Sequence, residues 1–179
     1  MRTRSLLPLM VLPLAACLAT HSTESLEVDV SIASVSLADD CGSAGLIGGE
    51  RCDSSGPCPD LCQQSSLQLH IEASAEGSEV PFEIVSVRVI DPETGGSSSL
   101  TARNPRVFVD GYTAWDETIA PSDALDVSYD TSAPDWGAIH ESADSFGWGQ
   151  TYDVEVRVRV DGVERTLTAE AMREPEIAT

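Results

Sequence analysis

Residues 152–169 read YDVEVRVRVDGVERTLTA, and this stretch decides the fold. Tyr152, Val154, Val156, Val158 and Val160 share one parity; Asp153, Glu155, Arg157, Arg159 and Asp161 share the other. Such alternation is what a half-buried β-strand requires, because successive side chains leave opposite faces of the backbone. Asp161-Gly162 then supplies the two-residue loop whose left-handed geometry joins two twisted strands tightly. Val163, Arg165, Leu167 and Ala169 return with the same period. The stretch predicts an antiparallel hairpin with one apolar face.

The same period recurs upstream. Leu26, Val28, Val30 and Ile32 alternate with polar residues, and the parity then flips to Val35 and Leu37, the mark of a bulge. Leu67, Leu69, Ile71, Ala73 and Ala75 predict a second strand, and Phe82 to Ile90 a third, ending at the turn in 91–96. A fourth runs from Leu100 to Val109, interrupted at Asn104-Pro105; a fifth from Thr113 to Ile119; a sixth carries Leu125, Val127 and Tyr129. No stretch between 26 and 170 sustains a helical apolar stripe. The expectation is an all-β chain, a single antiparallel β-sandwich of about seven strands.

The chain has 179 residues, with 30 acidic and 10 basic side chains and a formal charge of -20; every basic residue is arginine. A body so acidic lacks the basic face needed to displace counterions from a phosphate backbone, which argues against nucleic acid as a partner. It argues equally against electrostatic adhesion to anionic lipid.

Residues 1–17, MRTRSLLPLMVLPLAAC, open with Arg2 and Arg4 and continue into a short apolar run. That run is too short for a spanning helix, which needs ~20 residues, but it suits the core of a signal peptide. Its end, Leu14-Ala15-Ala16-Cys17, resembles the lipobox of bacterial lipoproteins. The resemblance implies cleavage before Cys17, acylation of its thiol and amine, and anchoring to a membrane by several acyl chains. Leu18 in place of aspartate implies the outer membrane under the enteric sorting rule, with the domain facing the periplasm or the cell surface. The expected organisation is a signal peptide over 1–16, a lipidated start and tether over 17–25, a sandwich over 26–173 with an insertion at 39–65, and a tail over 174–179. Loss of Arg2 and Arg4 takes the formal charge from -20 to -22.

Two patterns resemble immunoglobulin-like and fibronectin-like sandwiches. Tyr152 opening a valine-rich penultimate strand is similar to their tyrosine corner, and Trp115-x3-Ile119-x-Pro121-x-Asp123-x-Leu125-x-Val127-x-Tyr129 to a strand–turn–strand unit of bacterial members. Blocks such as Tyr112-x-x-Trp115-Asp116-Glu117 and Ala133-Pro134-Asp135-Trp136 resemble Gram-negative lipoproteins to which no role is assigned. Neither resemblance implies an activity.

Cys41, Cys52, Cys58 and Cys62 lie between the first two strands. Four cysteines in an exported chain predict two disulfides with three possible connectivities; Cys41–Cys62 enclosing Cys52–Cys58 is favoured because it closes the loop at its base. Their spacing lacks the paired knuckles of a zinc site, and the C-x-x-C of a redox site is absent.

His140-Glu141-Ser142-Ala143-Asp144 places aspartate where a zincin helix needs its second histidine. His70 alternates with Leu69 and Ile71 and is expected to face outward, and no nucleophile elbow or phosphate loop appears. Asp39, Asp40, Asp116 and Glu117 offer hard oxygens of the type calcium takes, without EF-hand spacing. Tyr112, Trp136 and Trp148 are the candidates for a recognition surface, while Trp115 is expected in the core. The reading is a non-enzymatic binding or assembly module of the envelope, with no cofactor beyond the lipid on Cys17. Its partner would be a protein or a glycan, with a basic protein favoured by charge. A metal-dependent hydrolase and a calcium-stabilised structural domain are the alternatives.

Overall fold

A computed structural model of the chain describes residues 25–38, 65–140 and 149–173. Ten strands appear: β1 (Val28–Ser36), β2 (Ser66–Ala73), β3 (Val80–Ile90), β4 (Ser97–Leu100), β5 (Ala102–Phe108), β6 (Tyr112–Ala114), β7 (Thr118–Ile119), β8 (Ala124–Thr131), β9 (Thr151–Val160) and β10 (Val163–Met172). One short helix, α1 (Trp136–Ile139), follows β8. They form two antiparallel sheets, ordered β1-β2-β8-β5-β6 and β10-β9-β3-β4, with β7 paired to β3. The fold is an all-β sandwich.

The quoted hairpin forms as its pattern demands. Val154, Val156 and Val158 of β9 are fully buried, and Tyr152 and Val160 nearly so. Asp161 and Gly162 have φ of 48° and 76°, the left-handed pair that a tight hairpin needs, and Val160 pairs with Val163 across them. Opposite β9 across the core stand Leu67, Leu69 and Ile71 of β2 with Val127 and Tyr129 of β8. Each such side chain contributes roughly 1.5–3 kcal/mol by leaving water. The parity flip in β1 is a bulge, with the register to β2 slipping between Ile32 and Ser34.

Two of the expected strands differ in the structure. The single strand expected over Leu100 to Val109 is two strands in different sheets: β4 pairs with β3, and β5 pairs with β8. The chain changes sheet at Thr101, held by mutual bonds with Ser132: Thr101 N–H donates to Ser132 Oγ at 2.9 Å and Ser132 N–H to the Thr101 carbonyl at 3.0 Å. β4 begins Ser97-Ser98-Ser99, so no apolar alternation announces it. The strand expected over Thr113 to Ile119 is also broken, because Glu117 takes φ 62° and the chain crosses from β5 to β3. Among the described residues the count is accordingly ten strands, where about seven are expected. Asn104 (φ 53°) and Pro105 form the expected interruption in β5, where the register to β8 slips between Arg103 and Arg106.

The two ends of the sandwich differ. At one end Leu26 and Glu27 enter β1, and Ser74 N–H donates to the Glu27 carbonyl at 2.8 Å. Nine residues further on, β1 ends at the opposite end. There the Ser65 hydroxyl bridges the backbone of Ala38, accepting from its N–H at 3.0 Å and donating to its carbonyl at 3.2 Å. The insertion over 39–64 leaves and returns at this clasp. Its four cysteines, Cys41, Cys52, Cys58 and Cys62, lie outside the described residues, as do Cys17, Asp39, Asp40 and Trp148.

Candidate functional site

The outer face of the first sheet carries the most distinctive surface. Arg106 and Phe108 of β5 share the parity opposite to Val107, so Phe108 projects from the sheet's solvent side. Tyr112 of β6 pairs directly with Phe108, and their rings meet edge to face at 5.3 Å. Phe108 is 54% exposed and Tyr112 52% exposed, and Val109 at the hairpin tip 64%. Adjoining exposed apolar side chains of this size are the kind of patch at which binding sites are found.

The two rings wall a shallow groove of about 340 Å³ that Gln68, Asp126 and Ser128 also line. Gln68 and Ser128 face one another across the β2–β8 ladder, and His70 and Asp126 form the next outward pair. Gln68 is held on both sides: Ser34 Oγ donates to its Oε1 at 2.9 Å, and its Nε2 donates to the Tyr112 hydroxyl at 3.5 Å. Asp126 Oδ1 lies 2.8 Å from His70 Nδ1, and Glu72 Oε1 lies 3.3 Å from Nε2. These contacts, Asp126 first, raise the His70 pKa above its ordinary 6.5. What they contribute is present in full below that ordinary value and is lost as pH rises through the higher, folded one. Arg106 guards the other flank, 2.5 Å from Asp130 and 5.5 Å from the centre of the Tyr112 ring.

A second polar cluster sits at the end of the sandwich that carries the Ser65 clasp, and it is buried. His140, just after α1, places Nε2 2.8 Å from the Tyr152 hydroxyl and Nδ1 3.7 Å from Asp91 Oδ2. Tyr152 also donates to Gln150 Oε1 at 3.1 Å, so the tyrosine expected at a corner meets side chains on both sides. Burial lifts the Tyr152 phenol above its usual pKa and keeps it neutral. Asp91 caps its own turn, accepting from Glu93 N–H at 2.8 Å and from the Thr94 hydroxyl at 3.0 Å. The Glu93 bond chiefly holds the Asp91 carboxyl below its ordinary value of 3.8.

Asp91 therefore contributes stability above about pH 4 that is lost as pH falls through its depressed folded value. Asp91→Asn is expected to destabilise the protein at pH 7, with the gap to the parent closing in urea titrations as pH is lowered past 3.8 and through the depressed folded value. A gap independent of pH would show that the carboxylate charge is not what Asp91 supplies.

Trp136 belongs to this buried cluster. Its ring lies 5.2 Å from that of Tyr152 and beneath the Arg173 guanidinium at 4.2 Å, so it is a half-buried anchor of α1 on the second sheet. The structure does not join it to Tyr112, which stands on the first sheet. Trp115 is half-buried, not central, with its ring 5.4 Å from Phe82 and its indole N–H donating to the Thr118 carbonyl at 3.1 Å. Asp116 accepts from Thr118 N–H at 3.2 Å, and Glu117 accepts from the Tyr129 hydroxyl at 2.9 Å. Asp116 thus serves its own turn, and Glu117 ties that turn to β8. Among the described residues no group of three His, Cys, Asp or Glu side chains is arranged to hold a metal ion.

Among the described residues, Tyr112 alone of the sequence candidates lies in the groove. Phe108, Gln68, Asp126 and Ser128 stand outside the sequence candidates. Phe108 carries a signal, an aromatic on the outward parity of an alternating strand; the polar residues carry none. Comparison with protein-family models and with curated proteins gives no match.

Proposed function

We propose that the protein is a lipid-anchored, non-enzymatic binding module of a Gram-negative envelope, engaging its partner through the Phe108–Tyr112 groove. The observation that carries this reading is a pair of half-exposed aromatic rings beside side chains already held in place by Ser34 and His70. A surface fixed before its ligand arrives loses little entropy on binding. The membrane link rests on Cys17 and the lipobox that precedes it, with outer-membrane placement resting on Leu18. Among the described residues no helix is long and apolar enough to cross a membrane.

The scaffold reading is an immunoglobulin-like sandwich. Its support is strand order: β1-β2-β8-β5 opposite β10-β9-β3-β4 follows the ABED and GFC sheets of that fold, with one strand added beside C. The parallel bridge between Leu37 and Arg173 places the end of the first strand beside the end of the last. Two disulfides within 39–64 complete the proposal, with Cys41–Cys62 outermost. The formal charge of -22 after processing favours a partner that is basic or uncharged.

Two measurements test this. Cys17→Ser is expected to move the protein from the membrane pellet to the soluble fraction, and retention in the pellet would refute the anchor. A photo-crosslinking residue at position 112 is expected to capture an envelope component, and one at the remote Glu164 of β10 is not. Equal capture at both positions would remove the groove from the argument. Amine-directed reagents are unsuited to the task, since the chain has no lysine.

A further inference from the structure

We infer that the groove takes an uncharged saccharide, bound with one sugar ring against Phe108 and Tyr112. The inference rests on the groove being the binding surface and names the chemistry of its ligand. A sugar ring has an apolar C–H face and a rim of hydroxyls, each both donor and acceptor. It needs an aromatic wall and, within one ring's width, polar groups of mixed character. The groove has both: two rings on one side, and an amide, a hydroxyl and a carboxylate on successive outward positions of β2 and β8.

The polar groups are also free in the right sense. Gln68 is oriented by Ser34 and Tyr112 but keeps a second amide hydrogen, and Asp126 is oriented by His70 through one oxygen and keeps the other. Ser128 stands opposite Gln68 across the ladder. An anionic sugar meets an unfavourable field here. Asp126 faces the groove, and the two nearest cationic side chains, Arg106 and His70, are engaged with Asp130 and with Asp126 and Glu72. The size agrees, since about 340 Å³ lies at the lower end of small-molecule sites, ~300–1,000 Å³, with room for one or two rings.

The test is isothermal titration of the purified mature chain in detergent with three neutral probes, N,N′-diacetylchitobiose, maltotriose and cellobiose, and with digalacturonate as the anionic counterpart. At least one neutral probe is expected to bind, with a Kd that changes less than twofold between 50 and 300 mM NaCl, while digalacturonate does not bind. Tyr112→Ala and Gln68→Ala are each expected to weaken that binding at least fivefold with an unchanged melting temperature. Glu164→Gln, on the other sheet, leaves it unaltered. If none of the neutral probes binds while position 112 still crosslinks a protein, the sugar inference falls and the binding-module reading stands. If neither occurs, both fall. Binding that survives Tyr112→Ala and Gln68→Ala places the sugar elsewhere and overturns the inference.

Discussion

Replacing Gly96 with alanine is expected to lower stability by about 3 kcal/mol, the upper end of what a single overpacked methyl costs. A Cβ at this position would stand 2.1 Å from the carbonyl oxygen of Ile139 and 2.9 Å from its carbon. Neither atom is the tip of a flexible side chain; both are backbone at the end of α1. The added methyl must therefore push the helix off the β3–β4 turn. That movement would separate His140 from Asp91 and Tyr152 and lift Ile139, 2% exposed, out of the core. A melting temperature roughly 6–12 °C lower should accompany the loss. The damage should also be local in its dynamics, with amide exchange at Ile139 and His140 accelerating well before that of β9. Gly95→Ala is the control: it has φ +75° and nothing within 4 Å, so it carries backbone strain alone, about 1 kcal/mol. Equal costs at the two positions would mean that α1 is not seated as described.

Leu69→Ala is the second large effect, about 3–4 kcal/mol in urea denaturation. Leu69 is fully buried at the middle of β2, paired with Ile32 of β1 and Val127 of β8. Strands on both sides fix the backbone, so the cavity left by the missing atoms cannot collapse, and its cost adds to the lost transfer energy. Leu167 makes the comparison sharp. It has a similar chemistry but sits half-buried on β10, an edge strand of the other sheet, where neighbours can close over the gap. Leu167→Ala is expected to cost about 1 kcal/mol, scaled down with the smaller burial. If the two substitutions cost the same, the core is not centred between β2 and β9.

Much of the sandwich was legible because its strands are half-buried. Tyr152 to Val160 write the inner face directly, and Asp161-Gly162 writes the turn. What escaped was of two kinds. Ser97 to Ser99 form an edge strand recruited by pairing with Val89 and Arg88 of β3, a tertiary effect with no trace in local pattern. Glu117 adopts its left-handed geometry because the chain must cross between sheets there, and nothing in Trp115-Asp116-Glu117 by itself demands it. The groove was legible in part. Tyr112 drew notice as one of several aromatics, but its companions are gathered from β2, β5 and β8, and ladder register alone decides which outward residues meet. Trp136 shows the converse: the sequence offers it as a recognition candidate, and packing against Tyr152 and Arg173 makes it an anchor.

The position of β1 has a mechanical consequence. On the lipid-anchor reading, any pull between the membrane and a partner held on the groove enters the domain at Val28 and leaves through β2, β8 and β5. β1 is zipped to β2 by register pairs running from Val28–Ala73 to Ser36–Ser66. Tension drawn out of the Val28 end runs along the strand, so those ladder bonds are sheared together instead of being peeled one after another. Arg165 adds a side-chain tie to the Val28 carbonyl at 2.5 Å, close to where the load arrives. The first strand is thus a mooring as well as a sheet edge, oriented to resist the direction from which the anchor would tug.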